Sequence, residues 1–249
     1  MSLSFLSADQ AAPQGSFSPV RQSNIDAALV ESGAHIEERD GWRVAASYGD
    51  PVAEKQACAE SVGLAELSCL GVTELLGAPS VITQITADVA GTGAKLGEAV
   101  FAGGAWWCTV KPERILAITN PADTAELRAS LEAAAASSGE VVSVTDLTSA
   151  LTTFSVSGPL ARDAFARVTA LDVRDREFPV CGFMPGSIGR VPGLLLRQGE
   201  NSYLHTFGAA SAQYMWESMI DAVEELGGRP VGIDALGPLG GAGEANSNA

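Results

Sequence analysis

The sequence predicts an α+β chain in which one βαββαβ unit is written twice. Residues 71–146 and 152–236 each read as strand, helix, strand, strand, helix, strand. Both first helices are introduced alike, by a β-rich run, a Gly and a Pro. The first copy has Leu75-Leu76-Gly77-Ala78-Pro79 leading to Ile85-Thr86, and the second has Ser155-Val156-Ser157-Gly158-Pro159 leading to Val168-Thr169. That order is the split-βαβ pattern of ferredoxin-like units, with two helices on one face of an antiparallel sheet. A repeat of this kind places any shared pocket between the halves.

Before the repeat, residues 24–38 carry Ile25, Ala28, Leu29 and Ala34 at helical spacing, with Asp26 in the first turn. Residues 41–49 read as a strand closed by Gly49. Asp50-Pro51 then opens a helix, because Asp caps free amides and Pro suits the first helical position. That helix runs to about Val62 and stops at Gly63, and residues 64–68 form a short strand. In the first copy, 72–76 is a strand and 79–87 a helix. Residues 98–102 and 106–110 are strands about the hairpin signal Gly103-Gly104. A strand at 114–119, an alanine-rich helix at 123–137 and a strand at 141–145 complete it. In the second copy, 153–156 is a strand, 159–169 a helix, and 188–197 and 202–207 are strands about a tight turn at 198–201. The helix 209–226 offers Tyr214, Trp216, Ile220 and Val223 to the core and ends at Gly227-Gly228, before a strand at 230–233. The expected divisions are an arm at 1–18, a first half at 19–146, a second half at 147–236, and a glycine-rich disordered tail at 237–249.

Composition narrows the function classes. The net charge of −15, from 30 acidic and 15 basic residues, argues against nucleic acid and anionic membrane surfaces. No apolar run approaches the roughly 20 residues of a bilayer span, and residues 1–18 lack the pattern of a signal peptide. Cys58, Cys69, Cys108 and Cys181 show no CxxC spacing, and with only two histidines there is no zinc pattern. A reduced cytoplasmic setting is the expectation. No nucleotide motif is present. His205 alternates with Leu204 and Thr206 on a strand and reads as structural, whereas His35 sits at the end of the first helix. The isolated thiols have no neighbouring His to activate them.

Several stretches carry a family resemblance. Gly41-Trp42, Tyr48, Asp50-Pro51-Val52-Ala53-Glu54 and Ser61-Val62-Gly63-Leu64-Ala65-Glu66-Leu67-Ser68 resemble the opening of glycine-cleavage T-proteins, which are tetrahydrofolate-dependent aminomethyltransferases. Asp146-Leu147, Ser157-Gly158-Pro159-Leu160-Ala161-Arg162, Leu171-Asp172-Val173 and Phe178-Pro179 are similar both to T-proteins and to the gamma subunit of sarcosine oxidase. Trp216, Gly227-Gly228-Arg229-Pro230-Val231-Gly232 and Ala235-Leu236 fit the same pattern, so the resemblance runs from about residue 20 to 236.

The resemblance implies a folate-binding fold, a cavity between the halves, tetrahydrofolate as cofactor and a small amine-type one-carbon donor. Two departures qualify it. T-proteins have an acidic residue just after the Gly-Gly of the first hairpin, where this chain has Ala105-Trp106-Trp107-Cys108, nearer the gamma-subunit type. They also continue into a C-terminal barrel, which the sequence lacks. The resemblance therefore implies a one-carbon transferase-like protein or, alternatively, a non-catalytic folate-site subunit of a larger oxidase or demethylase complex. No catalytic residue is assigned.

The binding candidates follow from the same resemblance. Trp106 and Trp107 face opposite sides of a strand, so one is core and the other either stacks a pterin ring or meets a partner. Trp42 and Tyr48 lie around a strand that T-proteins use near the cavity, or are simply packed. Arg197 either pairs with a folate glutamate tail or makes an ordinary ion pair. Glu200, in a glycine-containing turn, matches a pterin-binding Glu, and Asp234 reads as a turn residue.

Overall fold

The computed structural model describes residues 19–93 and 95–239. Its core is a four-layer sandwich of helices, sheet, sheet and helices. The five-stranded sheet has the order β5-β6-β7-β4-β8, made of β4 (Gly71–Gly77), β5 (Ala99–Ala102), β6 (Ala105–Lys111), β7 (Arg114–Thr119) and β8 (Val142–Asp146). The six-stranded sheet has the order β10-β11-β12-β9-β3-β13. It combines β3 (Gly63–Glu66), β9 (Leu151–Ser157), β10 (Phe183–Ile188), β11 (Val191–Gly199), β12 (Ser202–Gly208) and β13 (Arg229–Pro230). The repeat is visible in these orders. Each unit keeps the βαββαβ succession and adds one outer strand, β5 or β10. The second unit also admits β3 between β9 and β13, antiparallel to the former and parallel to the latter.

Alternation along the strands sorts side chains into layers. In β6, Trp107 and Ala105 pack with Leu75, Ile82 and Leu131 beneath α3 (Pro79–Ala90) and α4 (Thr124–Ser138). Trp106 and Cys108 point the other way, into a cluster between the sheets with Leu116, Ile118, Leu196 and Leu204. Leu195, Tyr203 and Phe207 then face α5 (Ala161–Val168) and α6 (Ala212–Glu224), together with Phe154, Phe165 and Trp216. The Gly103-Gly104 hairpin forms as expected, with φ of 57° and 76° closing the Ala102–Ala105 pair, values that glycine adopts without strain. Asp50 caps α2 (Pro51–Glu60) by accepting the Ala53 amide at 3.0 Å.

Five expectations are corrected. The helix expected over 24–38 is the short α1 (Asp26–Glu31), followed by β1 (His35–Arg39), which pairs with β2 (Trp42–Ser47) about the turn Asp40-Gly41. His35 thus lies on a strand. The strand expected over 188–197 starts only at Val191: Gly189 and Arg190 both take positive φ and reverse the chain, and Ile188 ends a separate strand, β10, that the sequence did not predict. Pro230–Ile233 shortens to the two-residue β13, and Ile233–Ala235 is a 3-10 turn. Tyr214 is half exposed; α6 instead buries Met215, Trp216, Met219 and Val223, which share one helical face. Finally, residues 237–239 pack against the body of the protein, while the arm at 1–18 and residues 240–249 lie outside the described residues.

Candidate functional site

A cavity of about 840 Å³ opens at one end of the sandwich, where the chain crosses from β3 to β4 between the units. One wall is polar and comes from the second sheet. Ser155 and Ser157 sit two apart on β9 and so share a face; Ser202 opens β12, and Gln198 lies near the end of β11. Their side chains form a chain of hydrogen bonds: Ser155 to Ser157 at 3.1 Å, Ser157 to Ser202 at 3.4 Å, and Ser202 Oγ donating to Gln198 Oε1 at 3.4 Å. The opposite wall is apolar, with Leu67, Cys69, Leu70 and Leu236. Gly158 completes the floor with φ of 132°, and a Cβ there would stand 2.4 Å from the Ser61 carbonyl, so no larger residue fits.

The segment 237–239 enters this cavity from the side. The Leu239 carbonyl accepts the Trp106 indole N–H at 2.8 Å and also a hydrogen bond from Gln198 Nε2, while its side chain packs on the inter-sheet cluster. Among the described lining residues the carboxylates are Asp40 and Glu200, and both are exposed at the mouth. Burial pushes the Cys58 thiol up to about 11 and the Cys69 thiol to about 12, with help from the charges of Glu54 and Glu66 respectively. Both are protonated at neutral pH and poor nucleophiles.

The residues singled out from sequence distribute unevenly about this space. Glu200 lines the cavity. Trp106 stands behind Leu239, and Trp107 lies under the first helix layer, its indole donating to the Ala102 carbonyl at 3.0 Å. Arg197 is buried and turned to the far side of β11. Its guanidinium donates to the carbonyls of Phe178 (2.8 Å), Glu200 (2.7 Å) and Gly199 (3.2 Å), pairs with Asp175 at 2.8 Å, and lies over the Tyr203 ring. It therefore acts as the frame of the turn that carries Gln198 and Glu200. Trp42 packs on Val44, Cys69 and Ile233 and borders a separate cavity of about 220 Å³. Tyr48 packs against the second unit's core, and burial together with the nearby Glu66 and Glu54 raises its phenol. Asp234 pairs with Arg39 at 2.6 Å. His205 is fully buried between Phe165 and Phe207, and burial depresses it to about 3.

Sequence reasoning missed Gln198, the three serines and residues 237–239. The serines had a signal in the period-two spacing of Ser155 and Ser157. Nothing local marked the tail, because its role depends on strands far away in the chain. Two buried carboxylates were also missed. Glu54 accepts the amides of Tyr48 (2.6 Å) and Gly232 (2.7 Å), and Glu66 accepts the Ser23 hydroxyl (2.9 Å) and the Ser68 amide (3.0 Å).

Residues 104–239, from the hairpin glycine to the segment in the cavity, match the GCVT N-terminal domain family. The aminomethyltransferase of Mycobacterium tuberculosis H37Rv is 30% identical over 227 residues, covering 84% of this chain. The chain belongs to the GCVT aminomethyltransferase family. It spans 59% of the length of that relative, and 58% of the Mycobacterium avium aminomethyltransferase, to which it is 28% identical. Among solved structures, the glycine cleavage system aminomethyltransferase T from Bartonella henselae shares the fold with a TM-score of 0.73 at 15% identity, covering 87% of this chain and 60% of that one. A chain of the heterotetrameric sarcosine oxidase from Corynebacterium sp. U-96 superposes with a TM-score of 0.61 at 25% identity, covering 71% of this chain and 92% of that one. The GCVT assignment accounts for the α+β class and the paired units. No helix among the described residues of this GCVT chain is long and apolar enough to cross a membrane.

Proposed function

We propose that the chain binds tetrahydrofolate in the cavity between its units and presents it to a small amine-type one-carbon donor, as a transferase-like member of the GCVT family. The observation that carries this reading is a cavity of about 840 Å³ lined by residues of the stretch that matches the family together with Leu67, Cys69 and Leu70 ahead of it, a volume in the range of cofactor clefts. Its two walls suit a flat, polar-edged heterocycle. Gln198, Ser157 and Ser202 offer donors and acceptors to the edge, while Leu67 and Leu70 cover a face. A bound folate supplies a nucleophilic nitrogen. The chain's own residues orient the reactants, exclude water, and at Glu200 bind the pterin. A reduced cytoplasmic setting suits its four free thiols.

A second reading has its own observation. Ala105, Trp106, Trp107 and Cys108, which occupy the place after the hairpin glycines, are all buried and carry no carboxylate. Positioned acid–base groups contribute about 10²–10⁴ in rate. Under this reading the chain is a non-catalytic folate-site subunit joined to larger oxidase or demethylase subunits. Tetrahydrofolate titration followed by Trp fluorescence, then folate-dependent release of amine from small N-methyl and aminomethyl donors, tests both. Saturable quenching with turnover supports the first reading. Quenching without turnover, reversed by co-expression with large subunits, supports the second. Absence of saturable quenching overturns both.

A further inference from the structure

The Leu239 carbonyl occupies a spot defined by two donors. The Trp106 indole N–H can only donate. The Gln198 amide is fixed in the same sense, because its Oε1 already accepts from Ser202 and its Nε2 is thereby turned toward Leu239. Trp106 is 2% exposed and Gln198 6%, so both donors are withdrawn from bulk water and need an acceptor. An oxygen held between two buried donors, at the end of a polar wall of three serines, is the arrangement that recognises a carbonyl or carboxylate. Here the chain's own backbone supplies that oxygen.

We propose that Trp106 and Gln198 form a subsite for a carbonyl or carboxylate oxygen of the cavity's ligand, and that residues 237–239 are a built-in competitor for it. When the segment withdraws, the two donors face the cavity and the ligand oxygen replaces the Leu239 carbonyl on the same hydrogen bonds. The segment is held by those two bonds and by the Leu239 side chain on the inter-sheet cluster. Two hydrogen bonds and one apolar contact hold the segment in place while leaving it displaceable. The apparent affinity for ligand is then lowered by the fraction of molecules with the subsite free. That the ligand oxygen belongs to a folate rests on the function proposed above; the subsite itself does not.

The test uses the full chain with Leu239→Gly, which removes the apolar anchor of the segment, adds no new acceptor and leaves the donors in place. The Trp106 indole ¹H–¹⁵N resonance, assigned through Trp106→Phe, reports the subsite. Acetate and N-methylacetamide serve as carboxylate and carbonyl probes. The expected result is a saturable shift of the Trp106 resonance in Leu239→Gly that is at least several-fold weaker in wild type and lost in Leu239→Gly with Gln198→Met. Response to acetate alone or to N-methylacetamide alone assigns the oxygen type. If neither probe moves the resonance in Leu239→Gly, the subsite is overturned whatever folate does. Tetrahydrofolate is then titrated into both proteins, with about tenfold tighter binding expected for Leu239→Gly. Equal tetrahydrofolate affinity in the two proteins overturns the competition. Probe binding without any tetrahydrofolate binding leaves the subsite standing and removes the folate reading instead.

Discussion

His205 sits among aromatic rings with neither ring nitrogen hydrogen-bonded to protein, and it is neutral in the fold. Its pKa is about 3 in place, against 6.5 for a free imidazole. Between those values the unfolded chain takes up a proton that the folded chain refuses. Stability therefore falls as the pH drops through that window, by about 1.4 kcal/mol per pH unit at most. Glu66 works in the opposite direction. Burial raises its carboxyl despite the Ser68 and Ser23 hydrogen bonds, so its penalty grows as the pH rises above the ordinary carboxylate range and is relieved by acid. Urea unfolding at pH 5 and pH 7 should show His205→Leu losing the acid destabilisation that His205 contributes, so that the variant gains stability over wild type more at pH 5 than at pH 7, with Glu66 left to favour the lower pH; an equal change at both pH values would place the acid sensitivity elsewhere. The two adjacent tryptophans make a second residue-level contrast. Trp106→Phe should weaken tetrahydrofolate binding several-fold and remove most of the quenching, because its indole N–H lies directly behind Leu239, which lines the cavity. Trp107→Phe should leave the affinity alone and lower stability by about 1–3 kcal/mol through lost packing.

Among the elements, the β11–β12 turn depends on one cation. Arg197 satisfies three carbonyls at once, and its bond to the Phe178 carbonyl is buried, where no solvent can take its place once the side chain is removed. Arg197→Met should destabilise the protein by about 2–4 kcal/mol, most of it from stranded acceptors, whereas Asp175→Asn at the exposed end should change stability by less than about 1 kcal/mol. Thermal unfolding of the two variants, side by side, checks the asymmetry. The same comparison shows what a sequence can disclose. Asp50-Pro51 and Gly103-Gly104 were legible because a cap and a tight hairpin are decided within four residues. Arg197 was legible as a special residue but not as a frame, since its partners Phe178 and Asp175 lie about twenty residues away. β1 reads as a continuation of the preceding helix until β2 is present to pair with it. The Gly189-Arg190 reversal is hidden because an arginine with positive φ carries no turn signature. The cavity between the units was foreseen from the repeat, while its lining at Gln198, Ser155 and Ser202 depends on which strand faces enter the seam.

For the molecule as a whole, ligand in the seam should brace both sheets at once. With tetrahydrofolate at about 100 times its dissociation constant the gain is about 2.7 kcal/mol, which for a fold of this size raises the melting temperature by roughly 5–10 °C. Differential scanning fluorimetry reads this directly, and an unmoved transition at saturation would show that the ligand does not bind in the seam. The captured strand β3 has a consequence for how the protein is made. The five-stranded sheet lies within residues 71–146 and is finished early on the ribosome. β3 leaves the ribosome before it, yet its neighbours β9 and β13 follow only later, the last roughly 160 residues behind, on the order of ten seconds or more of synthesis. Until β9 emerges, roughly 85 residues behind, Leu64 and Ala65, fully enclosed in the finished protein, have no partner strand, and the β13 edge stays open for longer. The nascent chain thus carries an unsheltered apolar strand ahead of a completed half, and that interval is where slow translation or a missing chaperone does the most harm.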